Sequence, residues 1–180
     1  AAGLLPRHID YSNHKLGGIE DICFLTPELI TAYRPVCLDL GGIAKGFAVD
    51  MAVKILISEG ISSGIVNAGG DLRVFGNHPK CVCIRNPKSP SQLIEIGNLQ
   101  NAAIATSGLY FANRDQAVIH LINPLATDEA EIHLQTTGSY SVVAKECIYA
   151  DALTKVLAIS KQFNHPCFAQ FSAQAIQIPS

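Results

Sequence analysis

The sequence is poor in charge: Asp, Glu, Lys and Arg make up only 16% of its 180 residues, and the formal net charge at pH 7 is -2. A chain so close to neutral offers no long-range attraction for a polyanion, so nucleic-acid binding is not expected. Apolar runs of membrane-spanning length are also missing. Because 48% of the residues are hydrophobic, the chain is not disordered. The length suits one domain over residues 1–180, and two full domains would be cramped.

Cysteine pairs of the zinc-binding kind are absent as well. The six cysteines include no Cys-x-x-Cys pair with a second half at zinc-like spacing. Cys81 and Cys83 alternate with Val82 and Ile84, so a strand would point both thiols to one face. We expect a buried pair of free thiols there, and no metal site.

The order of predicted elements is a few strands, a helix, many strands, a second helix and a closing strand. Apolar residues recur at helical spacing in residues 43–59 and 145–160, which predicts two helices. Strands are predicted at 7–11, 21–25, 35–38, 65–76 (with a glycine break), 80–85, 92–96, 102–108, 118–124, 139–144 and 173–178. Residues 28–33 suit a strand or a helical turn. This order predicts an α+β fold, with two main helices on a mixed, largely antiparallel sheet.

The segment DLGGIAKGFAVD at residues 39–50 joins the predicted strand 35–38 to the first helix. A glycine pair, Gly41 and Gly42, at a helix N-terminus leaves amide groups that attract an anion. Asp39 precedes the glycines and Lys45 lies just inside the helix, so one loop offers amides, a carboxylate and a cation. The spacing matches neither G-x-G-x-x-G nor a P-loop, and a tight turn with a solvated lysine explains it equally well.

Each predicted helix carries one further pattern. In the first, Phe47, Met51 and Ile55 share one apolar stripe. In the second, Asp151 and Lys155 stand four residues apart, which suits a surface ion pair. The residues around Asp151 are apolar, however, and a partly buried carboxylate would need a cation or hydrogen-bond donors.

Small and polar residues mark two more candidate sites. Asn67 and Asp71 flank Gly69 and Gly70, which suits either a β-bulge capped by side chains or a ligand lying over bare backbone. A small-residue strand ends in the hydroxyls of Thr106 and Ser107, which are good partners for a phosphate or simply a strand-end turn. Of the histidines, His8 and His14 are expected at the surface, and His120 in an apolar strand suits a hydrogen-bonded core residue.

Taken together, five segments resemble the ApbE family, the FAD:protein FMN transferases. They are residues 39–50, NAGGDLR at 67–73, ATSG at 105–108, His120 with Pro124, and ADAL at 150–153. Five segments in the family's order are far more specific than any single one, and they cover most of residues 36–160.

The resemblance implies an enzyme that binds FAD and a divalent metal, usually Mg²⁺, splits the FAD pyrophosphate and transfers FMN to a threonine of a target protein. Some members instead hydrolyse FAD to FMN and AMP. The positions implied to bind the cofactor are Asp39, Lys45, Asn67, Gly69, Gly70, Asp71, Thr106 and Ser107. The implied metal ligands are the Gly42 carbonyl, the Asp151 carboxylate and the Thr154 hydroxyl, and the implied catalytic residues are His120 and Asp151.

Three features depart from the family's pattern. Lys155 stands where the family usually has a threonine, four residues after the aspartate, and Asn123 stands where it usually has an aspartate. The sequence also begins near the family's middle, so we expect the N-terminal flavin contacts to lie outside it. The substitutions favour a rival hypothesis, a non-catalytic flavin-binding or scaffolding protein of the same fold. An unrelated nucleotide-binding domain is the third hypothesis. The family resemblance implies a periplasmic or cell-envelope location, with the cytoplasm as the alternative.

Overall fold

A computed structural model describes residues 15–89, 91–108, 123 and 139–178 of the chain. The chain divides into two compact units, residues 1–40 and 41–180. The predicted strands at 7–11 and, apart from residue 123, at 118–124 lie outside the described residues, as do His8 and His14. None of the helices within the described ranges is long and apolar enough to cross a membrane.

The first unit contains a β-hairpin. Its strands are β1 (Ile22–Thr26) and β2 (Leu29–Ala32), which pair antiparallel, so residues 28–33 include a strand and not a helical turn. Arg34 Nε donates to Asp21 Oδ1 at 3.0 Å beside this hairpin, and that hydrogen bond holds the pKa of Asp21 below its ordinary value. The predicted strand at 35–38 is wrong, because residues 35–40 form no helix or strand. Pro35 has no amide hydrogen to donate to a neighbouring strand.

The second unit is built on a five-stranded antiparallel sheet. Its strands, in spatial order, are β3 (Gly64–Ala68), β4 (Asp71–Phe75), β7 (Ala102–Gly108), β8 (Ser139–Ala144) and β9 (Gln174–Ile178). The strands β5 (Lys80–Arg85) and β6 (Leu93–Leu99) form a separate antiparallel hairpin between β4 and β7 in the chain. Both helices α1 (Ala44–Ser58) and α2 (Cys147–Ser160) contact this sheet and each other, and α3 (Pro166–Gln170) leads into β9. The predicted α+β class is confirmed.

The face that helix α1 buries is not the apolar stripe of Phe47, Met51 and Ile55. Phe47, Met51 and Ile55 are 53%, 38% and 57% exposed, so they are not the core stripe. The buried positions are Gly46, Val49, Asp50 and Val53. The helix is apolar almost all round, so its sequence alone does not single out a face. The contacts of Gly46 and Asp50 with α2 decide which side turns inward.

Small side chains fill the core where the two helices meet the sheet. Val49, Ala103, Ala105, Cys147 and Ala150 are all buried in one cluster between α1, β7 and α2. Side chains of this size let helix and sheet backbones approach closely at the packing density of a protein interior. The close approach is what brings polar groups from distant parts of the sequence into contact.

The thiols of Cys81 and Cys83 are exposed, contrary to the sequence-based expectation of a buried pair. They do share a face of β5, but the opposite face, with Val82 and Ile84, is the buried one. Alternation along a strand predicts two faces without saying which one meets the core.

Candidate functional site

An ion pair joins the start of α1 to the start of β4. Lys45 Nζ contacts Asp71 Oδ2, and the amide of Thr106 donates to Asp71 Oδ1 at 3.3 Å. The Asp71 side chain is 2% exposed, whereas that of Lys45 is 50% exposed. Burial by itself lowers the pKa of Lys45, but the hydrogen bond and attraction from Asp71, together with attraction from Asp151, outweigh it and raise the pKa. Lys45 is therefore a stable cation that solvent and small molecules can reach.

Asp151 lies at the centre of a second cluster, between α1 and α2. Its side chain is completely buried, and its Oδ2 accepts a hydrogen bond from the amide of Gly46 at 3.0 Å. Its Oδ1 contacts the ammonium of Lys155, which also donates to the main-chain oxygen of Asp151 at 3.0 Å. Of the two sequence-based alternatives, the buried carboxylate with a cation beside it is therefore the correct one.

Two hydroxyl side chains of β7, Thr106 and Ser107, lie next to the Asp71 and Asp151 clusters. Ser107 Oγ lies 2.8 Å from Thr154 Oγ1, which in turn donates to the main-chain oxygen of Asp151 at 2.7 Å. Thr106 Oγ1 lies 2.8 Å from Ser141 Oγ on the neighbouring strand. The hydroxyls predicted to meet a phosphate thus already have protein partners, and they tie β7 to α2 and to β8.

The glycines of the NAGGDLR segment form the turn of the β3–β4 hairpin, and not a β-bulge. Ala68 pairs with Asp71, which leaves Gly69 and Gly70 as a two-residue loop with φ of +65° and +105°. Positive φ at both positions is what a type I′ turn requires, and glycine provides it without strain. Asn67 Oδ1 accepts a hydrogen bond from the amide of Gly70 at 2.9 Å, so its side chain braces the turn. Both glycines face open space.

The buried Asp50 and the partly exposed Arg73 form a polar pair that the sequence patterns did not single out. Asp50 is buried and accepts hydrogen bonds from the amides of Cys147 and Ile148, at 3.0 and 2.8 Å, at the N-terminus of α2. Arg73 Nη1 lies 2.6 Å from Asp50 Oδ1. Asp50 is the last residue of the family-like segment 39–50, and Arg73 is the last residue of the segment 67–73. The position of Asp50 between the apolar residues Val49 and Met51 was the feature that could have indicated a buried carboxylate.

The thiol of Cys147 is buried where α1 meets α2 and the sheet. Burial, and then the negative charges of Asp71, Asp50 and Asp151, raise the pKa of Cys147 to about 12. A thiol of that pKa stays protonated at neutral pH and is a poor nucleophile.

Gly42 lies close to the stem of Lys155. A Cβ placed on Gly42 would lie 3.6 Å from Lys155 Cε. Asp39, in contrast, belongs to the first unit, where it is exposed. His120 and Pro124 lie outside the described residues, so the roles predicted for them stay predictions.

The oxygen groups that the family resemblance implies as metal ligands are of the kinds that a hard cation prefers. Such ions prefer carboxylate, carbonyl and hydroxyl oxygens, and these are the groups that Asp151, Gly42 and Thr154 carry. The Lys155 ammonium on Asp151 is a cation already held at this carboxylate. The ranges that the structure describes contain no group of three or more His, Cys, Asp or Glu that could hold a metal ion. A metal here would thus rely on one carboxylate and neutral oxygens.

Comparison with known proteins gives one consistent result. A family profile described as the ApbE family matches residues 3–176. The FAD:protein FMN transferase of Rhodobacter capsulatus is 31% identical over 160 residues, which cover 84% of this chain and 30% of the relative. The corresponding protein of Vibrio cholerae is 32% identical over 153 residues, with 79% of this chain and 44% of the relative covered. The chain therefore spans less than half the length of these relatives.

Solved structures agree with this fold. The flavin transferase ApbE from Vibrio cholerae superposes with a TM-score of 0.68 at 24% identity, covering 91% of this chain and 54% of that one. The ApbE protein from Thermotoga maritima gives a TM-score of 0.66 at 25% identity, covering 90% of this chain and 55% of that one.

Proposed function

The chain belongs to the ApbE family, and from that membership we propose that it takes part in flavin transfer, as an FAD:protein FMN transferase. The proposed substrate is FAD, and the proposed product is FMN attached to a threonine of an acceptor protein, with AMP released. The proposed location is the periplasm or cell envelope.

One observation supports a shared site: three family-like segments converge on α1. Lys45 pairs with Asp71, which also accepts from the amide of Thr106. The amide of Gly46 donates to Asp151, 105 positions away in the sequence. The family resemblance thus concerns residues that are adjacent in space, as a binding site requires.

The proposed transfer forms a bond between the threonine oxygen and the FMN phosphorus, and breaks the pyrophosphate bond to AMP. The leaving AMP oxygen gains negative charge, and a nearby cation lowers the energy of that transition state. Lys45 is the half-exposed cation suited to hold the phosphates. Both carboxylate oxygens of Asp151 already have partners, so we assign Asp151 to positioning and cation binding. The proton of the acceptor hydroxyl is then removed by another base, such as His120.

Magnesium dependence is part of the proposal. Asp151, Thr154 and the Gly42 carbonyl are the proposed ligands, and a divalent ion there would neutralise phosphate charge. The chain's own residues fix the geometry: the amide of Gly46 orients the Asp151 carboxylate, and Ser107 orients the Thr154 hydroxyl.

A non-catalytic flavin-binding or scaffolding protein is the second candidate. The contact of the Lys155 ammonium with Asp151 favours it, because a monovalent cation occupies the carboxylate that the transferase proposal gives to the metal.

Release of AMP from FAD distinguishes the two candidates. Without an acceptor protein, water takes the place of the threonine hydroxyl, so we expect the chain, incubated with excess FAD and MgCl₂, to release AMP together with free FMN, both detected by liquid chromatography. Lys45→Met should slow the release at least tenfold because it removes the cation proposed for the phosphates. Lys54→Met, which removes an exposed lysine from the same helix, should leave it unchanged. FAD binding without AMP would support the scaffolding protein, and neither binding nor AMP would contradict both.

A further inference from the structure

We propose that Lys155 is a resident cation of the Asp151 site, and that its ammonium and a divalent metal ion occupy the Asp151 carboxylate in a mutually exclusive way. Metal then binds only when the Lys155 side chain swings out. The inference rests on the proposed function for the choice of Mg²⁺, but its other steps depend only on contacts within this chain.

The Lys155–Asp151 pair differs from an ordinary ion pair on a helix surface. The carboxylate is fully buried, whereas the lysine side chain is 28% exposed. The ammonium has two oxygen partners, the carboxylate and the main-chain oxygen of Asp151. Exposed pairs at this spacing contribute little, but a buried carboxylate needs a compensating cation or donor. Lys155 therefore supplies charge that the site requires.

Both oxygens of the carboxylate are in use. Oδ2 accepts from the amide of Gly46, a backbone group fixed in the first turn of α1. Oδ1 is the oxygen that the Lys155 ammonium contacts. A metal ion that binds Asp151 through Oδ1 must take the place of the ammonium, because two cations side by side on one oxygen repel each other in a poorly solvated site.

Lys155 has a path out of the site. The methylenes of Lys155 lie beside Gly42, which has no side chain to block them, and a Cβ there would only reach van der Waals contact with them. The Lys155 side chain is also partly exposed to solvent. A flexible lysine stem can hold its ammonium in water while the methylenes stay packed. The apparent metal affinity is then the intrinsic affinity reduced by the fraction of molecules whose lysine is out.

Metal titration of three variants tests the exclusion. We expect Lys155→Met, which keeps the stem but removes the charge, to bind Mg²⁺ at least tenfold more tightly than the unmodified chain in calorimetry without flavin. Lys54→Met is the matched control for loss of one positive charge and should leave the affinity unchanged. Adding Asp151→Asn to Lys155→Met should abolish the gain. Equal Mg²⁺ affinities for Lys155→Met and the unmodified chain, whether tight or weak, would overturn the proposal.

Lysine labelling tests the same point in the unmodified protein, so the result does not depend on a variant folding. The chain is acetylated at constant ionic strength with and without saturating MgCl₂, and peptides are quantified by mass spectrometry. We expect labelling of Lys155 to rise severalfold with Mg²⁺ while labelling of Lys54 stays constant. Unchanged labelling of Lys155 would overturn the proposal. Because no FAD is present, either failure leaves the proposed flavin transfer to be judged separately by AMP release.

Discussion

Asp50 joins three parts of the second unit through one side chain. It caps the N-terminus of α2 by accepting from the amides of Cys147 and Ile148, and it pairs with Arg73 of β4. A carboxylate at a helix N-terminus is favoured both by the free amides and by the helix dipole. Asp50 is therefore a structural residue, although it lies in the same family-like segment as Lys45.

Asp50→Ala should lower the free energy of unfolding by about 3–5 kcal/mol, because it leaves a mostly buried guanidinium without its carboxylate and two amides without an acceptor. Urea denaturation measures the change. Asp50→Asn, which keeps an oxygen acceptor, should cost less than Asp50→Ala. Glu59→Ala removes an exposed carboxylate just after α1. It should change the free energy of unfolding by less than about 0.5 kcal/mol in either direction, as surface substitutions usually do. Similar losses for Asp50→Ala and Glu59→Ala would contradict the capping role.

The Lys45–Asp71 pair changes the expectation for Asp71. The family resemblance implies that Asp71 binds the cofactor. The structure instead buries Asp71 against Lys45 and the amide of Thr106, so a substitution there affects folding as well. A ligand role for Asp71 consequently has to be tested through Lys45, whose side chain is accessible.

At the scale of elements, the crossing of α1 and α2 depends on Gly46. A Cβ on Gly46 would lie 2.3 Å from the main-chain oxygen of Cys147, far inside van der Waals contact. The same glycine donates its amide to Asp151. The absence of a side chain thus sets both the distance between the helices and the position of the Asp151 carboxylate.

Gly46→Ala should therefore destabilise the second unit by about 1–3 kcal/mol or more, since the helix backbones must move apart to accept the methyl group. Thermal unfolding followed by circular dichroism measures the loss. Gly42→Ala is the matched control, because a Cβ there meets only Lys155 at ordinary contact distance. If Gly42→Ala lowered the melting temperature as much as Gly46→Ala, close helix packing would not be the cause.

At the scale of the whole molecule, the chain is shorter than its relatives. It spans 30% of the Rhodobacter capsulatus protein and 44% of the Vibrio cholerae protein. A nucleotide as long as FAD contacts many groups, and the described residues supply a candidate phosphate site around Lys45. We therefore expect the described residues to supply some, and not all, of the contacts that bind FAD.

The chain alone should bind FAD with a dissociation constant weaker than about 1 μM, corresponding to less than about 8 kcal/mol of binding free energy. Titration calorimetry or flavin fluorescence measures the affinity. AMP, which lacks the flavin, and FMN, which lacks the adenine, serve as comparison ligands. Submicromolar binding of FAD to the chain alone would contradict the expectation that its described residues supply only some of the contacts.

The sequence by itself determined the type and order of most elements. Spacing of apolar residues predicted both long helices within two residues of their ends, and the strands at 80–85, 102–108 and 139–144 match β5, β7 and β8. These features are local, because backbone conformation follows from the periodicity of side chains a few positions apart. The family-like segments were likewise readable from the sequence.

The tertiary structure alone decided which faces are buried and which charges meet. The outward position of Phe47 and the exposure of Cys81 follow from packing against residues far away in the sequence. Spacing of four residues made an Asp151–Lys155 contact feasible, but only the fold buries the carboxylate and gives its second oxygen to Gly46. Burial and pairing depend on neighbours supplied by other elements, and a single segment carries no information about them.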